Sequence, residues 1–236
     1  DVKISLTYRD FQQQAQQDWQ NAVLLDSSVQ ANKAFNLETD NLFRTELLKI
    51  SENRFVIQFT VHHIVFDGWS IGVLLRDFAA AFVACYDGIE LPTIESNSGY
   101  KQFVLQQRRF LDSDRFIPKL DYWVKRLQGC VESIDLPLDF ARPENQTFAG
   151  KVFIEPVSKH LADKLTTYAR GNNCTLFNIL HACVYLLFGK ISGQKDVVIG
   201  VSQANRDESH YRDVIGLFSQ VLPLRGVLDD KLTIEK

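Results

Sequence analysis

The residues of this chain best equipped for chemistry stand together in His62-His63-Ile64-Val65-Phe66-Asp67-Gly68-Trp69-Ser70. An imidazole, with an ordinary pKa of about 6.5, accepts a proton at neutral pH and can return it. At a strand end beside a tight turn it could reach a substrate amine or hydroxyl. Adjacent strand residues point to opposite faces, so one of the two histidines serves the fold and the other the site. Gly68 lets backbone approach a ligand or take a turn geometry closed to other residues. An aspartate buried at such a turn needs a cationic or hydrogen-bonding partner. A lone core histidine is more often a packing residue, and a turn aspartate often only caps a helix. Two histidines with Asp-Gly at this spacing shift the balance toward chemistry.

The same stretch satisfies a rival pattern. Gly68-Trp69-Ser70-Ile71-Gly72 matches G-x-S-x-G, the nucleophile elbow of hydrolases, and lies between a strand and a helix as that motif requires. Acids and His160, His181 and His210 follow it, so chain order leaves a serine hydrolase open. Against it, no glycine-rich oxyanion segment precedes, and the reading leaves His62, His63 and Asp67 without a role. A metal site is discarded, because His63 and Asp67 gain no third ligand at useful spacing. His181, inside an apolar helix, reads as a satisfied core histidine; His160 and His210 read as surface positions.

The elements around the stretch follow from patterning. LFRTELLKIS and RFVIQFTVH are β-rich runs joined by Glu52-Asn53, a hairpin whose second, nearly continuous apolar strand is expected at the centre of its sheet. Ile71, Leu74, Leu75, Phe78, Phe82 and Cys85 recur at helical spacing, with Ser70 placed as N-cap and Asp87-Gly88 as the stop. FQQQAQQDWQ reads as a polar helix face. A helical region from about residue 100 to 127 is expected to break near Pro118. Residues 135–148, with Pro137 and Pro143, read as a crossing linker between an N-terminal lobe, 1–134, and a C-terminal lobe, 149–236. In the latter, GKVFIEPV reads as a strand, SKHLADKLTTYAR as a helix capped by Ser158, TLFNILHACVYLLFGKI as a buried helix, and DVVIGVSQ and LFSQVLPLRGV as strands. The class is α/β, in two lobes.

Composition bounds the function. With 236 residues, 45% hydrophobic, the chain can bury a sizeable core. A net charge of −3, with basic and acidic residues interspersed, speaks against nucleic acid as a partner. The four cysteines show no paired metal spacing and imply a reducing, cytoplasmic setting. The first residues lack a signal-peptide layout, and LFNILHACVYLLF is too short and polar to span a bilayer, so no membrane is expected. The absence of methionine, including at position 1, raises the expectation of an internal piece of a longer polypeptide.

His62 to Ser70 resembles the H-H-x-x-x-D-G-W-S core motif of condensation domains in nonribosomal peptide synthetases, members of the chloramphenicol acetyltransferase-like superfamily. FNLETDNLFRTELLKI, YKQF, LPLDFARP, SGQKDVVIGVSQANR and IGLFSQVLPLR follow in the order such domains show, so the resemblance covers almost the whole chain. It implies a two-lobed fold of mixed sheets with flanking helices, here truncated because the family's first two and last two motifs are missing. It also implies amide formation, in which the amine of a carrier-bound aminoacyl group attacks an upstream carrier-bound thioester. The cofactors are then the phosphopantetheine arms of upstream and downstream peptidyl carrier proteins, none bound directly, with an adenylation domain adjacent.

By this resemblance His63 faces the tunnel between the lobes, His62 supports the fold, and Asp67 pairs with an arginine, for which Arg206 is the match. Trp69 and Ser70 are expected at the substrate. Thioester aminolysis needs a neutral amine held near the carbonyl, relief for its proton, and stabilisation of charge growing on oxygen. His63 suits the proton, as base or as orienting hydrogen-bond partner, and the Gly68 N–H at a helix start suits the oxyanion. The chain departs from the family at Gln102, commonly aspartate, at Gln106, commonly tryptophan, and at Ser219-Gln220-Val221, commonly Val-Asn-Thr. Both histidines argue against the heterocyclising kind; the epimerising kind stays open. The competing functions are a non-catalytic carrier-docking fragment and a free-standing coenzyme A-dependent acyltransferase.

Overall fold

The computed structural model describes residues 5–14, 18–91, 99–147 and 149–229. It divides into two compact units, Asp1–Arg109 with Ala204–Gln220, and Phe110–Gln203 with Val221–Lys236. The division runs along other lines than segments 1–134, 135–148 and 149–236. Residues 204–220 belong to the first unit because their aromatic side chains pack on one of its helices. Residues 135–147 carry neither helix nor strand.

In the first unit, β1 (Leu6–Asp10), β2 (Phe43–Ser51) and β3 (Arg54–Val61) form a sheet in the order β1-β2-β3. The β1–β2 pair is parallel, so it needs a crossover, and α1 (Trp19–Ala31), capped by Asp18, lies between the two strands in sequence. The β2–β3 pair is the expected antiparallel hairpin, in register from Phe43↔Val61 to Ser51↔Arg54 with a bulge near its turn. β2, not β3, is central; among the described residues β3 is an edge. Even-numbered β2 and β3 residues bury toward α1, where Leu48, Ile50 and Phe11 meet Trp19, Ala22, Val23 and Val56. The odd-numbered face meets α2 (Gly68–Tyr86), whose Phe78 packs edge-on against Phe59 at 5.6 Å.

α2 begins on an Asp67 cap, not Ser70, which lies one turn further in. It stops as expected at Asp87, with Gly88 at a φ of +68° that glycine tolerates without strain. By length and composition alone α2 could cross a bilayer. Its buried Ser70 and Val73 and the Phe59 contact are those of a helix packed on a sheet. α3 (Gly99–Leu111) packs Tyr100 and Phe103 against Tyr211, Val214 and Phe218 of the 204–220 segment, the second core cluster.

The second unit holds α4 (Ile117–Leu127), α5 (Lys159–Gly171), α6 (Leu176–Ser192) and a two-stranded sheet of β4 (Asp196–Gln203) and β5 (Gln220–Val227). The helical break after α3 falls at residues 112–116, ahead of Pro118, which sits in the first turn of α4 where a missing N–H costs nothing. Ser158 caps α5 as expected, and Thr175 with Asn178 forms a reciprocal box at the start of α6. Two readings are corrected. α6 is not a buried helix: Gly189 is its one buried residue, and Phe177, Leu180, Leu186 and Leu187 are each about half exposed. Residues 150–157 form no strand, and Val152, Phe153 and Ile154 are more than 80% exposed. β-forming side chains make a strand only where a neighbour completes the ladder, and among the described residues this segment has none.

Candidate active site

β3 ends at Val61, so strand alternation does not itself separate the two histidines. Residues 63–65 turn instead through a short 3-10 helix whose N-cap is His62. The His62 Nδ1 accepts from the Ile64 N–H at 3.1 Å, and its ring stands edge-on to Phe35 at 5.8 Å. His62 is thereby committed to the turn. His63 is exposed and makes no side-chain hydrogen bond among the described residues.

Below the turn, Asp67 is 2% exposed and receives six contacts. Its Oδ1 accepts from the Ser70 N–H (2.9 Å), the Ser70 hydroxyl (2.8 Å) and Arg206 (3.0 Å). Its Oδ2 accepts from the Phe218 N–H (3.0 Å), the Ser219 N–H (3.2 Å) and Arg206 (3.2 Å). These bonds explain why β5 starts only at Gln220: the N–H groups just before it serve the carboxylate. Burial alone would push the Asp67 carboxyl up; the donors from Ser70 and Phe218 and the charge of Arg206 outweigh it and hold the group below its ordinary range.

Arg206 completes the expected pair across 139 positions. One guanidinium nitrogen donates to the Tyr211 and Val214 carbonyls at 2.7 and 2.6 Å, and the other faces Asp67, the Ser70 hydroxyl and the Gly216 carbonyl. Its guanidinium carbon lies 4.0 Å from the centroid of Phe218, while its Nε has no hydrogen-bond partner among the described residues. The preceding residue, Asn205, takes a left-handed φ of 54°, which asparagine tolerates better than most side chains.

Ser70 is fully buried. Its hydroxyl, donating to Asp67, also accepts from the Gly216 N–H at 3.1 Å and from Arg206. Its burial and these bonds, with no histidine among its partners in the described residues, speak against the elbow reading and against a Ser70 hydroxyl free to meet a substrate. Trp69 donates its indole N–H to the Arg212 carbonyl at 2.9 Å and leaves 48% of its surface open. Gly68 is exposed at the first helical position, where its N–H has no intrahelical acceptor. Its φ is not left-handed, and a Cβ there would meet nothing within 4 Å. Turn strain is thus not why glycine stands here; the space beside it is open.

The remaining histidines lie elsewhere. His160 is exposed on α5, and His210 lies 3.4 Å from Glu208 on the surface. His181 stacks on Phe177, and its buried Nε2 has no hydrogen-bond partner among the described residues, unlike the satisfied histidine expected. Sequence reasoning missed Gly216 and Phe218. The glycine is required because a Cβ would come within 2.4 Å of the Tyr100 ring, a contact that no local pattern announces.

A buried Asp–Arg–Ser knot under an exposed histidine is a specific arrangement, and the family model for the condensation domain matches residues 1–235. The chain belongs to the condensation-domain family. Among curated proteins, this condensation-domain chain is 30% identical to malpibaldin synthetase of Mortierella alpina, over 100% of its own length and 4% of that protein's. It is 34% identical to tyrocidine synthase 3 of Brevibacillus parabrevis, over 82% of its length and 3% of the relative's. Among solved structures it resembles the first condensation domain of the calcium-dependent antibiotic synthetase, with a TM-score of 0.80 at 20% identity, covering 99% of this chain and 53% of that one. At that identity the likeness is one of fold, and it bears out the condensation-domain α/β class. The chain spans only a few per cent of these curated relatives and about half of that solved chain.

Proposed function

We propose that this chain carries the amide-forming centre of a nonribosomal peptide synthetase, joining an acyl or peptidyl thioester on an upstream carrier protein to an aminoacyl thioester on a downstream one. The observation that supports it is a division of labour. Asp67, Ser70, Arg206 and His62 are consumed in holding the turn, while His63 and the Gly68 N–H are left open to a ligand. As the amine nitrogen attacks the thioester carbonyl, a C–N bond forms and the C–S bond breaks; the amine proton passes to His63 and from it to the departing sulfur, so the upstream carrier's arm leaves as a thiol and His63 returns to its neutral form. The Gly68 N–H, at the positive end of α2, faces the charge that grows on the carbonyl oxygen. Trp69, with its N–H spent on Arg212, offers its open ring face beside Gly68 as a wall for the acyl chain. The phosphopantetheine arms belong to the carriers, an adenylation domain loads them, and the reaction runs in the cytoplasm, where free thiols persist.

The test is His63→Ala within the complete reading frame, supplied with both loaded carriers and read by mass spectrometry of the product. A proton acceptor predicts a loss of about 10²–10⁴-fold in amide formation with an unchanged unfolding midpoint. Full turnover by the variant overturns the role of His63. Carrier binding without product from the unaltered protein points to a docking domain, and turnover of soluble acyl-coenzyme A to a free-standing acyltransferase.

A further inference from the structure

The buried knot depends on a segment that has few fastenings of its own. Residues 206–219 supply Arg206, the two carbonyls that orient it, the Gly216 backbone and the two N–H groups that reach Asp67, yet apart from a single 3-10 turn at Ser209–Tyr211 they form no regular element. Apart from Asp67 and Ser70, side chains of the first unit hold this segment from outside. The Trp69 indole binds the Arg212 carbonyl, Arg76 pairs with Asp213, the Tyr100 hydroxyl donates to the Leu217 carbonyl at 3.1 Å, and the Gln106 amide on α3 joins two residues of the turn. Gln106 uses both ends of its group. Its Nε2 donates to the Glu208 carboxylate at 3.0 Å, and its Oε1 accepts from the Tyr211 hydroxyl.

Tyr211 links this fastening to the site. Its ring is buried against Phe103 and Phe218, and its carbonyl accepts from Arg206 at 2.7 Å. Hydroxyl, ring and carbonyl of one residue therefore connect Gln106 on α3 to the guanidinium that grips Asp67, and Asp67 caps the helix whose first N–H is Gly68. The amide is matched to its neighbours: one side must donate, to a carboxylate, and the other must accept, from a phenol. Neither a carboxylate nor an apolar side chain does both.

We propose that Gln106 is a positioning residue for the amide-forming centre, acting through Tyr211 and Arg206 on the Asp67 turn without touching substrate. This rests on the function proposed above. The substitution that isolates it is Gln106→Glu, which keeps size and the acceptor for Tyr211 but sets a second carboxylate against Glu208. Its rescue is Glu208→Gln in the same chain, which restores a donor to the new carboxylate.

In the complete polypeptide with loaded carriers, Gln106→Glu is expected to lower kcat about fivefold with KM for both carriers within about twofold. The double variant is expected to return kcat to within about twofold of the unaltered protein. Amide hydrogen exchange across residues 209–218 should quicken in the single variant and recover in the double, a readout that needs no amide product. Unaltered kcat and exchange in Gln106→Glu, or a double variant no better than the single, overturns the proposal. Should the unaltered protein make no amide, the function above falls and with it the part of Gln106 in amide formation, while a loosened and rescued loop still supports its hold on the Asp67 turn and an unchanged loop overturns that too.

Discussion

Two of the chain's Asp–Arg pairs, one from each unit, differ in almost everything except charge. Asp196 on β4 and Arg225 on β5 meet fork to fork, Nε to Oδ1 at 2.8 Å and the terminal nitrogen to Oδ2 at 2.6 Å, with side chains 22% and 17% exposed. Arg225 also donates to the Arg126 and Gln128 carbonyls, tying the end of α4 to the strand pair. Asp67 and Arg206 are each 1% exposed at the side chain, and here a single guanidinium nitrogen serves the carboxylate while sharing itself with the Ser70 hydroxyl and the Gly216 carbonyl. The better pairwise geometry belongs to the wetter pair. The buried pair is held by number and not by alignment, its further partners being the Ser70 hydroxyl and backbone groups of the turn and of residues 211–219. A staple between regular elements needs only good geometry, whereas a pair that shapes irregular backbone must also satisfy that backbone's polar groups, because water cannot.

The largest way to break this comparison is to remove one buried partner. Arg206→Ala leaves a carboxylate in a dry site and takes the guanidinium donor from the Tyr211 and Val214 carbonyls, and is expected to cost about 3–5 kcal/mol in denaturant unfolding. Arg206→Lys should not rescue it, since one ammonium cannot reach both carbonyls and the carboxylate. A cost below about 1 kcal/mol would show that the knot is ornament to the fold.

Acid probes the same contrast more gently. The Asp67 carboxyl is held below its ordinary range, so its contribution is present above the unfolded value of about 3.9 and is lost as the pH falls through the lower folded value. Unfolding followed from pH 7 to 2 should fall off below about pH 4, and Asp67→Asn should flatten that limb while lowering the plateau. The Asp196 carboxyl is also lowered, by its bond to Arg225, so Asp196→Asn shifts stability in the same direction by less.

How far these sites could be read from sequence follows from the range of the interactions. The hairpin at Glu52-Asn53, the Ser158 cap and the Asp87-Gly88 stop are local, and the residues that cause them are adjacent to their effects. The 150–157 segment shows the opposite: Val152, Phe153 and Ile154 carry strand propensity, but a ladder partner decides, and sequence around them does not name one. Ser70 was displaced from cap to interior of the first turn because Asp67, three residues earlier, is the stronger acceptor. The Asp67–Arg206 pair was legible only by family resemblance, since nothing local links positions 139 apart. Gly216 gave no signal and Gln106 stood out only as a departure from the family, since each is explained by a neighbour on α3 or in residues 208–217.

A sharper separation of the two pairs comes from salt. Asp196→Asn removes a partly solvated interaction and, discounted for screening, is expected to cost at most about 1 kcal/mol at low ionic strength. In 1 M salt, where the Debye length is about 3 Å, most of that difference should disappear, whereas the cost of Arg206→Ala should barely change. Equal salt dependence in both variants would mean that water reaches the Asp67 site and that burial is not what distinguishes the pairs.

The smallest expected effect lies at the residue next to the buried aspartate. A Cβ on Gly68 meets nothing within 4 Å, and its backbone is not left-handed, so Gly68→Ala is expected to change unfolding free energy by no more than about 0.5 kcal/mol. The variant keeps the N–H and fills only the open space above it. If that space receives the thioester, amide formation should fall while stability holds, and the separation of the two readouts locates the substrate at the helix start. If turnover and stability both stay level, no reacting group comes close to this backbone, and the oxyanion must be met elsewhere.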